Sequence, residues 1–331
     1  MRVSVIGAGG WGTAFARLLA KNGHAVTLWA RDRATAEKID RNRVNDKYLP
    51  GVALPREGLE ITSSLPAALE PETVVLAVPS FAVPDIMSSI GPIVSTPKVY
   101  INLAKGLDHA SRATMSELIE KAVDARAIFT LSGPCHAEEV GRDMPTAVVL
   151  AGRDLCLGKD LQRAIGTARF RVYLSEDIRG VELCAAVKNV IALATGISDG
   201  LGYGDNTRGA LITRGLAEMA RFAGAFGAVK ETLFGLAGLG DLVATCTSDH
   251  SRNRSVGVRI GQGERLSEIL ATMSMVVEGV YATKIVRSMA AEAEVEMPIT
   301  DAVYRILYDD AAPLPLVDEI MTREPKQERV Q

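Results

Sequence analysis

The chain opens Met1-Arg2-Val3-Ser4-Val5-Ile6-Gly7-Ala8-Gly9-Gly10-Trp11-Gly12. A short run of strand formers meets a glycine cluster, and a helical pattern follows. This is G-x-G-x-x-G in the strand–turn–helix setting that gives the pattern meaning. Gly7 allows the tight turn, Gly9 lets backbone approach a pyrophosphate, and Gly12 permits close packing of helix on strand. The helix start then offers oriented N–H groups to phosphates. The competing reading is a glycine-rich turn with no ligand, but at the head of a β-α-β chain the pattern predicts a dinucleotide-binding unit.

Working outward, strands are expected at Val3–Ile6, Val26–Trp29, Leu59–Thr62, Val74–Val78, Val99–Leu103, Ile128–Leu131 and Ala147–Leu150. Several are continuous apolar runs, as in a parallel sheet covered on both faces. Helical spacing falls at Trp11–Asn22, Arg33–Arg43, Ala82–Ile90 and Ser111–Ala122. The alternation predicts an α/β, Rossmann-type doubly wound sheet. From about Asp177 strand signals stop and long helical patterns take over, including Thr207–Phe226, with Asn206 as its expected cap, and a helix opened by Pro298. The expected organisation is a dinucleotide-binding domain over 1–178, an all-α substrate domain over 179–322 and a polar, frayed tail over 323–331.

Composition narrows the function. A chain of 331 residues exceeds one ordinary core. A net charge of −3 with scattered basic residues gives no case for nucleic acid or a membrane surface. No signal-peptide layout is present, and no run reaches the ~20 apolar residues of a spanning helix. The segment around Lys188 reads as too short to span. Cys135, Cys156, Cys184 and Cys246 have no paired spacing, which points to a reducing, cytoplasmic setting. The four histidines are dispersed, so no metal site is expected.

The second strand ends Trp29-Ala30-Arg31-Asp32. An acid there holds the ribose of NAD, whereas an arginine accommodates the phosphate of NADP. Arg31 comes first, which favours NADP(H) with NAD(H) as the other option; a solvated surface charge is the competing reading. Ala104-Lys105-Gly106-Leu107 and Ser132-Gly133-Pro134-Cys135-His136-Ala137 follow later strands, at the sheet edge where ligands bind. Lys105 there is either a positive charge at the ligand or a plain loop lysine. Cys135-His136 lacks the third group of a nucleophile–base arrangement, so Cys135 reads as a small lining residue.

Val181–Gly196 is apolar on nearly every face, with Lys188 and Asn189 at its middle. Such a helix belongs in an interior. Taken alone, Lys188 either snorkels its head to a nearby surface or sits desolvated, tuned for proton transfer. Its own segment offers no acid at helical spacing. Gly235-Leu236-Ala237-Gly238-Leu239-Gly240-Asp241-Leu242 places one acid in an apolar loop, and Asp241 is the natural distant partner, or a helix cap, or both. Ser251-Arg252-Asn253 at a helix start has the makeup of an anion site, though alone it reads more simply as a cap with surface arginines. Glu278, in Val276-Val277-Glu278-Gly279-Val280, reads by itself as a cap.

Together Gly7–Ala14, Ala104–Leu107, Ser132–Pro134, Val187–Asn189, Gly238–Leu242, Ser251–Asn253 and Val277–Val280 closely resemble the bacterial NAD(P)-dependent glycerol-3-phosphate dehydrogenases, in the expected order across most of the chain. The resemblance implies that Gly10, Trp11, Arg31, Ala137, Val276 and Glu278 contact the cofactor. It gives Lys105 a role toward cofactor and substrate alike. Gly133, Cys135, Asp241, Ser251, Arg252 and Asn253 would bind substrate, with Arg252 also reaching the cofactor. Lys188 would be the proton donor and acceptor, with Asn189 and Thr245 lining the same pocket. One departure is Cys135-His136, where the family usually carries Ser or Thr followed by Phe; a thiol is a weaker hydrogen-bond partner than a hydroxyl.

The implied reaction is reversible reduction of dihydroxyacetone phosphate to sn-glycerol 3-phosphate, feeding glycerophospholipid synthesis, by a homodimer. Two alternatives are another lysine-dependent ketone reductase of similar two-domain architecture and a non-enzymatic dinucleotide sensor. The Ser251-Arg252-Asn253 motif argues against the first, and a Lys188–Asp241 pair argues against the second.

Overall fold

The computed structural model describes residues 1–273, 275–322, 324 and 327. The chain divides into two compact units, Met1–Asp108 with Ala113–Ile178, and His109–Arg112 with Arg179–Gln331. The short His109–Arg112 segment thus groups with the second unit, where Arg112 pairs with Glu292.

In the first unit β1 (Arg2–Ile6) runs into the glycine turn and α1 (Gly10–Lys21) leaves it. Gly7 holds φ at +119°, and a Cβ there would stand 2.7 Å from the Ala77 carbonyl oxygen. At Gly12 a Cβ would stand 2.0 Å from the Gly7 oxygen, so helix meets turn only because Gly12 lacks a side chain.

The other strands are β2 (Ala25–Trp29), a small hairpin of β3 (Val44–Asn45) and β4 (Leu49–Ala53), β5 (Leu59–Thr62), β6 (Thr73–Leu76), β7 (Lys98–Asn102), β8 (Ala125–Ser132), β9 (Thr146–Gly152) and β10 (Phe170–Ser175). The main sheet has the order β10-β9-β8-β7-β6-β1-β2-β5. The chain moves outward from β1 through β2 to β5, then returns to the other side of β1 at β6. That reversal at β1 is the topological switch point beside which ligands of doubly wound sheets bind. The period-two alternation of strands sorts the side chains. Val3, Val5, Val75, Val99 and Ile101 join a core with Phe15 and Leu19 of α1, while Ile6, Val74, Leu76 and Tyr100 join the opposite one. Helices α2 (Arg33–Asn42), α3 (Leu65–Ala68), α4 (Val83–Ile90), α5 (Met115–Ala122), α6 (Ala137–Gly141) and α7 (Leu155–Ile165) complete the unit.

The second unit is helical: α8 (Ile178–Gly200), α9 (Asp205–Ala225), α10 (Lys230–Phe234), a π-helical turn at Leu236–Gly240, α11 (Asp241–Thr247), α12 (Arg252–Gly261), α13 (Leu266–Thr272), α14 (Glu278–Glu292), α15 (Pro298–Tyr308) and α16 (Pro313–Met321). Helix α8 is buried from Gly180 through Ser198 and forms the hub. It crosses α12 at glycines: a Cβ on Gly196 would stand 2.1 Å from the Arg254 oxygen, and one on Gly257 2.3 Å from the Leu193 oxygen.

Several sequence expectations change. The segment around Lys188 is not short: Gly196 does not end the helix, because it serves the crossing with α12, and α8 continues to Gly200. By length and composition α8 could cross a membrane, but 94% of its apolar window is buried inside the chain. The Ala147–Leu150 run is a strand, yet β9 lies antiparallel to β8 while its other neighbour, β10, is parallel to it. Strand β10 itself escaped notice, although Phe170 and Val172 point in while Arg171 and Tyr173 point out. Helix α5 begins only after Thr114, whose N–H donates to the Glu117 carboxylate at 2.9 Å and fixes the helix start. Asn206 is not the cap of α9; Gly204 is. The 323–331 tail lies, apart from Glu324 and Gln327, outside the described residues.

Candidate active site

In the first unit the residues singled out by sequence gather at the switch point and along the strand ends beside it. Gly9 is the N-cap of α1 and supplies no capping side chain. A Cβ on it would meet nothing within 4 Å, whereas one on Gly10 would stand 2.7 Å from the Tyr48 oxygen and 3.5 Å from the Ala137 Cβ. The open side of the turn is therefore at Gly9, at the N-terminus of a twelve-residue helix, and it suits a pyrophosphate. Asn45, which the sequence did not flag, holds this turn from behind. Its Nδ2 donates to the Ala8 oxygen at 2.9 Å and to Thr13 Oγ1 at 2.8 Å. Trp11 packs its half-buried ring on Phe15.

At the end of β2, Asp32 caps α2, accepting from Thr35 N at 2.7 Å and Thr35 Oγ1 at 2.5 Å. These bonds to Thr35 hold its carboxyl below the usual range. Arg31 beside it is exposed, with no hydrogen bond or ion pair among the described residues.

Beyond β7 and β8 a second group forms. Lys105 Nζ donates to the Gly133 oxygen at 2.9 Å and lies 3.5 Å from Cys135 Sγ; that thiol donates to the same oxygen at 3.1 Å. The Cys135 side chain thus does engage, with the Gly133 oxygen of its own loop and with Lys105. Buried Asn102, also missed from sequence, shapes the approach to Lys105 by pairing both amide atoms with Ala104. A lone asparagine in an apolar strand was the available signal.

In the second unit α8 presents Lys188 to the start of α11. Lys188 Nζ donates to Asp241 Oδ1 at 2.8 Å and to Thr245 Oγ1 at 2.7 Å, and all three residues are buried. Thr245 Oγ1 in turn donates to the Asp241 backbone oxygen at 2.6 Å. The π-helical turn delivers Asp241 as the first residue of α11, where Gly240 occupies the cap position. Asp241 therefore serves Lys188 and not the cap. Nearby Cys246 has its thiol pushed up to about 12 by burial and stays protonated.

One residue along α8, Asn189 Oδ1 accepts from Asn253 Nδ2 at 2.8 Å, and Asn253 Oδ1 accepts from Gly279 N at 2.9 Å. The Asn253 amide thus ties α8 to the starts of α12 and α14. Buried Ser251 caps α12, accepting from Arg254 N at 3.3 Å. Arg252 is exposed and donates to the Val276 oxygen at 2.7 Å. Glu278, the first residue of α14, is half-buried.

A glycine turn at the switch point of a doubly wound sheet, joined in one chain to a helical unit with a buried lysine–aspartate pair, defines a two-domain dinucleotide-dependent dehydrogenase. Known proteins place it more narrowly. Residues 2–157 match the N-terminal part, and residues 177–318 the C-terminal part, of the NAD-dependent glycerol-3-phosphate dehydrogenase family, and the chain belongs to that family. Glycerol-3-phosphate dehydrogenase [NAD(P)+] of Prosthecochloris aestuarii is 46% identical, covering 99% of this chain and 100% of its own. The Geobacter metallireducens enzyme of the same name is 47% identical over 99% of both chains. A crystal structure of glycerol-3-phosphate dehydrogenase from Coxiella burnetii superposes with a TM-score of 0.94 at 40% identity, covering 97% of this chain and 99% of that one.

Proposed function

We propose that this chain catalyses the reversible reduction of dihydroxyacetone phosphate to sn-glycerol 3-phosphate, supplying glycerophospholipid synthesis. The observation that carries the reading is the buried Lys188–Asp241 pair, a proton source where a ketone oxygen gains negative charge. The first unit is the dinucleotide-binding domain and the second the substrate domain. Gly7, Gly9, Gly10, Trp11 and Gly12 hold the cofactor, with Arg31 at the ribose end, and Ala137, Val276, Glu278 and Arg252 complete its contacts. When bound, the nicotinamide supplies the hydride.

The remaining requirements fall on the chain. Lys188 gives a proton to the carbonyl oxygen during reduction and takes one back in the reverse direction. Asp241 and Thr245 fix its ammonium through the two hydrogen bonds it donates to them. Lys105 adds positive potential toward the developing oxyanion, where exclusion of water strengthens it. Ser251, Arg252 and Asn253 bind the phosphate; the Arg252 guanidinium, oriented by the Val276 oxygen, keeps further donors for a bidentate contact. Gly133 and Cys135 line the substrate through their backbone. NADP(H) is the preferred cofactor, and the enzyme is a cytoplasmic homodimer, in keeping with four free cysteines.

The test is an assay following NADPH and NADH oxidation with dihydroxyacetone phosphate, ketopantoate and small β-keto acids. Turnover with dihydroxyacetone phosphate alone is the expected result. Turnover with an unphosphorylated ketone instead, or dinucleotide binding with no oxidation, would overturn the reading.

A further inference from the structure

The helical unit contains a cavity of about 850 Å³ among α8, α9, α15 and α16. Neither Lys188 nor Asp241 nor Arg252 lines it, so it is separate from the groups already described. Its walls include Ile197, Leu211, Ile299, Val303, Ile306 and Leu316. Along α9 the lining residues recur from Thr207 to Arg221 on one helical face. At 1.5 Å per residue that stripe is about 21 Å long, enough for an acyl chain, two of which span a ~30 Å bilayer core. The volume lies in the range of small-molecule pockets.

Among the described residues, one buried polar group in this lining lacks a hydrogen-bond partner. Ser198 is 4% exposed, lines the cavity, and its Oγ has no hydrogen-bond partner among the described residues. The charged lining groups are nearly balanced and several are already engaged. Arg221 donates twice to the Glu296 backbone oxygen, and Glu218 accepts from Ile299 N, Thr300 N and Thr300 Oγ1. Arg214 and Arg221 stand against Glu218, Glu296 and Glu324. That balance gives a charged head no advantage, whereas an unsatisfied hydroxyl selects a neutral group that can donate or accept. Helix α16 forms one wall of the cavity through Leu316, Val317 and Ile320, with Leu316 buried and Met321 exposed at its end.

We infer that this cavity binds an uncharged single-chain amphiphile, its alkyl chain along the α9 stripe and its hydroxyl or ester head on Ser198 Oγ. The probe is n-decanol, titrated calorimetrically into the full chain, with decanoate as the charged counterpart. Saturable binding at one site is expected, with a thermal midpoint that rises with ligand concentration. Ser198→Ala should weaken decanol binding about five- to tenfold, the effect of one hydrogen bond. Ile306→Trp, which fills the cavity, should abolish it. If that variant does not unfold cooperatively, Ser198→Ala decides alone. No saturable binding, as when a second copy of the chain covers this face, would overturn the inference. So would an unchanged affinity in Ser198→Ala, or decanoate binding as tightly as decanol.

Discussion

Lys188 shows how a single residue acquires a role from its surroundings. Its segment was legible as a buried helix because apolar residues surround it, and Asp241 was legible as a partner because its own loop offers an acid nothing else. The Asn253 amide was not legible. Its hydrogen bonds to Asn189 and Gly279 join residues 64 and 26 positions away, and no local pattern encodes them. The same holds for Asn45 behind the glycine turn. Removing Lys188 outright leaves Asp241 as a buried carboxylate without its cation, which typically costs about 3–5 kcal/mol and confounds activity with stability. Lys188→Arg separates the two. Arginine keeps the charge but does not release a proton in proteins. Turnover should fall by at least ~10²-fold, the scale of a lost general acid, while NADPH still binds. Steady-state kinetics and a fluorescence titration of NADPH on the same preparation check this; retained turnover would remove Lys188 from proton transfer.

At the scale of elements, the glycines of α8 and α12 matter more than helix propensity. Gly196, Gly200, Gly257 and Gly261 let the backbones touch; a Cβ on Gly261 would stand 2.3 Å from the Ile197 oxygen. Gly196 lies inside α8 although glycine disfavours helix interiors, because the close approach of Arg254, far along the chain, requires it. Gly257→Ala should gain a little propensity but force α12 off α8, destabilising the chain by about 1–3 kcal/mol as overpacking does. Because α12 begins at Arg252, KM for dihydroxyacetone phosphate should rise as well. Urea unfolding and kinetics report both, and a stabilised variant with wild-type KM would refute the crossing as described. The start of α15 depends on a different device. Glu218 of α9 is buried and accepts from Ile299 N at 2.5 Å and Thr300 N at 3.2 Å. Burial raises its pKa from 4.5 to about 7. The folded state therefore holds this proton more tightly than the unfolded chain. The resulting stability is full below about pH 4.5, declines as pH rises toward 7, and is lost above it. The difference across that window is roughly 3 kcal/mol. Glu218→Gln carries no titrating proton, so its stability relative to wild type should improve between pH 4.5 and 7. Denaturant unfolding at the two pH values measures this, and a constant difference would show that Glu218 does not titrate there.

For the whole molecule, the doubly wound order followed from sequence because strong apolar runs alternate with helices and the glycine turn fixes the first crossover. The direction of β9 did not follow, since an apolar run is equally at home in either pairing. The grouping of His109–Arg112 with the helical unit, where Arg112 pairs with Glu292, is a tertiary feature that local pattern cannot carry. Cofactor choice turns on the end of β2. Arg31 and Asp32 both stand where the adenosine ribose is read in such sheets. Asp32 is committed to the start of α2 through Thr35, while Arg31 is exposed with its donors available. A ribose phosphate gains a charge-assisted bond from Arg31, whereas a ribose hydroxyl must compete with Thr35 for Asp32. Arg31→Ala should therefore raise KM for NADPH by about tenfold or more, in line with one charge-assisted hydrogen bond, and leave KM for NADH nearly unchanged. Asp32→Ala should lower stability through loss of the cap with little effect on either cofactor. Kinetics with both dinucleotides at saturating dihydroxyacetone phosphate distinguish the cases. The opposite pattern, in which Asp32→Ala abolishes use of NADH and Arg31→Ala changes nothing, would make Asp32 the ribose ligand and NAD(H) the preferred cofactor.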